Sequence, residues 1–440
     1  MDHTIFLMKC LFVLIIFSTT FSISHANHEN PTFHQILNIT HQWRTHHAGA
    51  QLLYDTSDMK PSVPFLIAGI LTFIAAAISS AGGTGGGGLF IPILTIVAGL
   101  DLKLASGFSA FMVTGGSIAN VACYMFGRGG LINYDLALLS EPCMLLGVSI
   151  GVICNRVLPE WLITVFFALF LGFSTFKTLK SGVRYWKVET QRGSRSGSMP
   201  LLIKEVDESR VLDIPWMKVG VLVLIWFSFT LVYLLRGNRY GQGIIHIKSC
   251  GKVYWVISST QIPLAIIFTA WILHRRKRGV KNDDSFQQVN GGDRNSQSSE
   301  NLMFPVMALL AGVLGGVFGV GGGMLISPLL LQMGIEPQVT AATCSFMVFF
   351  SSTMSATQYL MLGMEHINGA LTYAFICFVA SLVGLILIQR AIIKHGRASL
   401  IVFSVGTVMA LSTLLITGFG AVDVWMDYTS AKSMGFKHPC

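Results

Sequence analysis

One ten-residue motif occurs twice, and its recurrence constrains the fold more than any other feature of the chain. "GTGGGGLFIP" at 83–92 and "GVGGGMLISP" at 319–328 align without gaps as G-x-G-G-G-x-x-x-x-P. The agreement continues downstream at one common spacing. "FMV" at Phe111 to Val113 matches "FMV" at Phe346 to Val348, Ser117 matches Ser352, Tyr124 matches Tyr359, and Ile132-Asn133 matches Ile367-Asn368. Matches that hold one spacing across two helix lengths mark a duplicated unit.

The unit belongs in a membrane. Of the 440 residues 52% are hydrophobic and only 12% charged, against about 25% charged in an average soluble domain. Apolar segments close to bilayer-spanning length fall at 104–126, 136–155 and 161–180 in the first half, and at 339–362, 369–389 and 398–418 in the second. Each set follows a longer run, 63–100 or 302–334, that the glycine motif interrupts. Two more segments, 216–235 and 254–273, join the halves. The expected fold is an all-α polytopic membrane protein. Each of its two homologous halves is a glycine-broken hairpin or re-entrant segment plus three helices.

Outside the helices the chain divides by composition. Residues 1–26 read as a signal peptide, with Lys9 before an apolar run and "SHA" ending at Ala26. Residues 27–62 form a polar extracytoplasmic segment. It holds the glycosylation candidate Asn38 in Asn38-Ile39-Thr40 and histidines better explained by solvation than by metal binding. The first membrane repeat is 63–180, a basic loop 181–214, the connecting helices 215–273, a basic linker expected to be disordered 274–301, the second repeat 302–418 and a polar tail 419–440. The net charge of +9 sits in these loops, which fits a topology signal and not nucleic-acid binding.

Charge also constrains orientation. Lys177, Lys180, Arg184, Lys187, Arg192, Arg195, Lys204 and Arg210 assign the first basic loop to the cytosol, and Arg275 to Arg278 assign the linker there too. With a lumenal N-terminus, three ordinary helices plus the broken run must cross an odd number of times. The broken run then crosses an even number, and the same count puts Arg390, Lys394 and Arg397 in the cytosol. Each half crosses an odd number of times, so the halves are expected to face opposite ways, as in many secondary transporters. Arg236, Arg239, Lys248 and Lys252 count against this assignment. A single kinked helix at each motif, giving parallel halves, is the alternative.

The glycines suggest a chemistry. Each weakens a helix by about 1 kcal/mol relative to alanine, so six of them in the twelve residues 81–92 break it. Irregular backbone survives at membrane depth only where it is buried in protein or lines a cavity. A half-helix starting there presents unpaired N–H groups, and bare N–H groups at a helix N-terminus attract anions. Gly85, Gly86, Gly87 and Gly88 in one half, and Gly321, Gly322 and Gly323 in the other, are the candidate substrate-binding residues. Ser109, Ser117, Asn120, Ser345 and Ser352 on the following helices are candidate hydroxyl and amide donors. For any one of these, close packing or helix–helix hydrogen bonding is the competing explanation. Glu141 is the proton-coupling candidate, because an acid within a membrane helix is a functional residue by default. It lies only about 9 Å beyond Asp135 at 1.5 Å per residue. No metal site, cofactor motif or catalytic set of an enzyme is present. The partners implied are a small anion and the lipid bilayer, in a plasma or endomembrane of the secretory pathway, with homo-oligomerisation left open.

At the paired motifs the chain resembles the sulfite exporter family TauE/SafE, in particular its plant members. The residues that carry the resemblance are "GGTGGGGLFIPILTIVAGLDLKLASGFSAFMVTGGSIANV" (82–121) and "GVGGGMLISPLLLQMGIEPQVTAATCSFMVFFSSTMSATQY" (319–359). The resemblance spans about 63–418. It implies a duplicated membrane domain that transports small sulfur-containing anions such as sulfite or sulfonates. A channel or carrier for another solute, and a membrane receptor or scaffold, are the alternative functions.

Overall fold

The computed structural model describes residues 63–80, 82–83, 87–126, 131–195, 215–236, 251–283, 294–364, 366–395 and 399–429. Those residues are helical with short connections. The first half contains α1 (Val63–Ser80), α2 (Gly87–Ile96), α3 (Leu102–Phe126), α4 (Tyr134–Val157) and α5 (Glu160–Arg195). Helices α6 (Trp216–Arg236), α7 (Lys252–Ser259) and α8 (Gln261–Asp283) lie between the halves. The second half repeats the first as α9 (Arg294–Phe318), α10 (Gly323–Gln332), α11 (Pro337–Met361), α12 (Ile367–His395) and α13 (Ser399–Thr429). Among the described residues nine helices are long and apolar enough to cross a membrane, and α2 and the apolar part of α9 are shorter. The protein is a multi-pass integral membrane protein.

Each broken run is a helix followed by a ten-residue half-helix. The sequence explains both ends of α2 and α10. They begin on glycines, and just beyond their ends Gly99 and Gly334 adopt left-handed φ values of 70° and 82°. That conformation lets the chain turn back on the last carbonyls. The Leu100 amide reaches the Leu94 carbonyl at 3.0 Å, and the Ile335 amide reaches the Leu330 carbonyl at 3.2 Å. Pro92 inside α2 cannot bond the carbonyl of Gly88 four residues back. Ser412 of α13 donates its hydroxyl to that carbonyl instead.

Helices α4 and α11 are the most buried of the spanning set, and the 252–275 segment the least. Large apolar side chains such as Leu169, Phe173 and Phe176 of α5 point outward, as a lipid-facing surface requires. Helix α4 packs along α9 through small residues. Methyl groups built on Gly147 and Gly312 would lie 2.3 Å from the Leu309 carbonyl oxygen and 2.1 Å from the Met144 carbonyl oxygen. Two glycines four apart on each helix (Gly147 and Gly151, Gly312 and Gly316) allow this approach. The order of contacts, Met144 with Gly312 and Val148 with Gly316, makes the two helices parallel. Helix α1 lies alongside α12 in the same sense, with Phe65 bonded to Tyr373 and Ala77 against Gly384. Helices α5 and α13 run antiparallel, with Thr175 at 3.2 Å from Thr413 and Glu189 accepting from the Ser399 amide at 3.0 Å.

Several helices outrun their apolar segments. Helix α5 continues to Arg195 within the expected basic loop, α13 reaches Thr429 in the tail, and α8 and α9 enter the linker from both sides as far as Asp283 and Arg294. Lysine, arginine, glutamine and glutamate are good helix formers, and extending an existing helix needs no new nucleus. The second connecting segment is divided at Thr260 into α7 and α8. Pro263 accounts for the division, since it offers no N–H to the Ser259 carbonyl. The signal peptide, Asn38 and the histidine-bearing segment lie outside the described residues.

Candidate functional site

The two breaks are packed against each other's half in a reciprocal way. Gly83 and Gly319 follow α1 and α9 with left-handed φ values of 67° and 63°. A methyl group on Gly83 would fall 2.0 Å from the Ala341 carbonyl oxygen of α11. One on Gly319 would fall 1.8 Å from the Ser106 carbonyl oxygen of α3. Ser106 and Ala341 occupy matching positions in the repeat, so each half holds the other's turn by the same contact.

Beyond these turns the half-helix starts converge. A methyl group on Gly87 would lie 2.7 Å from Val320 Cα, and one on Gly88 would lie 2.1 Å from Met324 Cε. Gly321, with φ of 66°, sits between the halves. Its methyl group would lie 3.3 Å from Val113, 3.2 Å from Val348 and 3.7 Å from Ser352 Cβ. Gly322 faces Met144 Sδ and the Ala311 backbone. Among the described residues, the amides of Gly321, Gly322 and Gly323 find no backbone acceptor. A buried amide without an acceptor is rare and costly, and all three glycines are buried. Gly85 and Gly86 lie outside the described residues.

Ser352 is the serine against Gly321. Ser117 and Ser352, equivalent in the repeat, meet with hydroxyls 3.4 Å apart. Ser109 and Ser345 each lie one helical turn before Val113 and Val348, the two side chains against Gly321. Both are buried, with hydroxyls that have no partner among the described residues. Ser355, a turn beyond Ser352, is in the same condition.

Asn120 is placed differently. Its carbonyl oxygen accepts from the Ser80 hydroxyl, and its amide donates to the Ser80 carbonyl at 3.3 Å. Ser80 ends α1, so Asn120 satisfies groups that the helix end leaves open. The same task at the end of α9 falls to residues that the sequence did not single out as site residues. Asn155 donates to the Val317 carbonyl at 2.6 Å, and Tyr359 donates to the Gly316 carbonyl at 2.9 Å. The only sequence signal for Tyr359 is its match to Tyr124.

Glu141 is fully buried in α4, and neither carboxyl oxygen has a partner among the described residues. No cluster of three histidine, cysteine or acidic residues that could hold a metal occurs among the described residues. The region offers backbone amides and serine hydroxyls as hydrogen-bond donors, groups that suit an anion.

Known proteins resemble the chain over most of its length. The family model described as "Sulfite exporter TauE/SafE" matches residues 2–178 and 253–422. It therefore passes over the basic loop and α6. From Arabidopsis thaliana, "Sulfite exporter TauE/SafE family protein 5" is 55% identical over 98% of this chain and 100% of its own length. Family protein 2 of the same plant is 59% identical over 85% of this chain and 87% of its own length. A shorter stretch, 18% of this chain and 29% of the relative, is 32% identical to "Probable membrane transporter protein YunE" of Bacillus subtilis. No solved structure matches. The family consists of membrane transporters and not enzymes, and this chain, duplicated around its two glycine breaks, belongs to it: it is a member of the TauE/SafE sulfite exporter family.

Proposed function

We propose that the protein is a secondary transporter that exports a small sulfur-containing anion, sulfite or an organosulfonate, across a secretory-pathway membrane. The anion binds between the glycine-rich N-termini of α2 and α10. The observation that carries this reading is the meeting of the two breaks at Gly87 and Gly88 with Val320 and Met324, together with amides at Gly321 to Gly323 that find no backbone acceptor among the described residues. An oxyanion has several acceptor oxygens, which would satisfy such amides, and the dipoles of α2 and α10 favour its charge. The hydroxyls of Ser109, Ser117, Ser345 and Ser352 would complete the shell. Sulfite is the anion that the relatives' names carry.

The reading includes inverted halves. Its support is the direction of matching helices. Antiparallel α5 and α13 are equivalent in the repeat. So are α3 and α11, where Gly107 lies by Tyr359 and Ser117 by Ser352, also in antiparallel order. Helices α1 and α3 run parallel to α12, and α9 and α11 run parallel to α4, so with α3 opposed to α11 each spanning helix of one half opposes its counterpart. An inverted pair around a central site is the plan that alternating access exploits.

Flux of labelled sulfite into liposomes containing the purified protein tests this function. Saturable uptake above protein-free liposomes, with exchange against unlabelled sulfite inside, is the expected result. Partner binding by the intact protein without flux of sulfite or any sulfonate would favour a receptor instead.

A further inference from the structure

Glu141 is the one acidic side chain that is fully buried among the described residues. On α4 it lies three residues before Met144 and seven before Val148, both of which pack against α9. Met144, three residues on, packs against Gly322, where a built methyl group would lie 3.0 Å from Met144 Sδ. One helical turn, about 5 Å of rise, therefore separates the acid from the residue that touches the anion-binding glycines.

Among the described residues no counter-charge bonds Glu141. The apolar part of α9, from Met303 to Phe318, has no titratable residue. Helix α11 contributes the buried Cys344 and Tyr359. Helix α6 contributes Tyr233, Lys218 and its last residue Arg236, and Lys218 is paired with Asp135 at 2.7 Å near the start of α4. Helix α8 contributes His274 and Arg275, both exposed, and beyond them the charged residues of its last two turns from Arg276 to Asp283. On α4 itself the neighbours are Cys143, which contacts Thr269 at 3.5 Å, and Asp135. None of these bonds either Glu141 oxygen.

An unpaired carboxylate in such a setting is costly, whereas a carboxylic acid is tolerated. An anion one turn away would disfavour the ionised form further by like-charge repulsion. Binding linkage is reciprocal: if the anion favours the protonated acid, the protonated acid favours the anion. We infer that Glu141 is a proton-binding site linked to the anion site, so that one proton crosses with the anion. This inference rests on the anion-transport reading. Glu141 is not a ligand of the anion. It releases its proton to the opposite face when that face opens to water.

The test compares wild-type protein and Glu141→Gln in liposomes with labelled sulfite, under two conditions. One is exchange at equal pH on both sides. The other is net accumulation driven by an imposed pH gradient. Sulfite carries a titrating proton of its own, but that contribution is common to both proteins. The expected result is exchange in both, with gradient-driven accumulation about tenfold lower in the variant, within the usual range of coupling free energies. Equal accumulation by the two proteins would overturn the proton site and leave sulfite transport standing. No exchange by wild-type protein would overturn the transport reading and this inference together. If Glu141→Gln fails to fold, Glu141→Asp decides. It retains a titrating carboxyl, so folded, exchanging protein must keep its response to the gradient, and loss of that response overturns the inference.

Discussion

Gly319→Val leaves almost no folded protein in the membrane. Two independent costs combine at this position. The φ of 63° lies in the left-handed region that side chains with a Cβ avoid, most of all β-branched ones. The Cβ itself would stand 1.8 Å from the Ser106 carbonyl oxygen. That oxygen belongs to the backbone of α3, so the clash cannot be relieved by turning a side chain. A cost above about 3 kcal/mol is expected, enough to matter in a protein of marginal stability. Gly334→Val separates the two costs. There φ is 82° but nothing lies within 4 Å of the built methyl group, so only the conformational cost remains. Size-exclusion recovery after detergent extraction is the measurement. The Gly334 variant should be recovered in part and the Gly319 variant hardly at all. Equal recovery would mean that the reciprocal turn contacts do not hold the halves together.

Gly322→Ala has the opposite profile. The residue is in ordinary right-handed conformation with φ of −59°. Its methyl group would meet the flexible Met144 side chain at 3.0 Å and the Ala311 backbone at 3.2 Å. The first neighbour can move and the second can yield only slightly, so a stability loss of about 1–2 kcal/mol is expected. The effect on transport is larger. The methyl group pushes on Met144 and the Ala311 backbone and so shifts the start of α10, and in the proposed site sulfite flux should fall by about tenfold or more. Flux equal to wild type, per folded molecule, would remove the glycine amides from the binding site.

Much of this arrangement is legible in the sequence because the repeat keeps its spacing. The paired motifs fix α2 and α10 as half-helices, and the common offset makes Ser117 and Ser352 equivalent before any contact is known. In the structure those two hydroxyls meet. What the sequence does not reveal depends on which surfaces face each other. Asn120 reads as a donor on a polar stripe, yet the end of α1 lies beside it and uses both of its polar atoms. Asn155 and Tyr359 close the end of α9 for the same reason, and nothing local to them says so. Helix ends are similarly obscured. The basic residues after Trp271 signal the limit of the apolar span, but they favour helix as well as water, and α8 runs on to Asp283.

In the proposed site the break of one half, at Gly87 and Gly88, meets the break of the other at Val320 and Met324, and the stoichiometry of binding tests directly whether the two make one site. Calorimetric titration of purified wild-type protein with sulfite should give one anion per chain, with binding lost in Gly322→Ala although the first half is untouched. Two independent anions per chain, one surviving in Gly322→Ala, would contradict the account, because each half would then bind by itself.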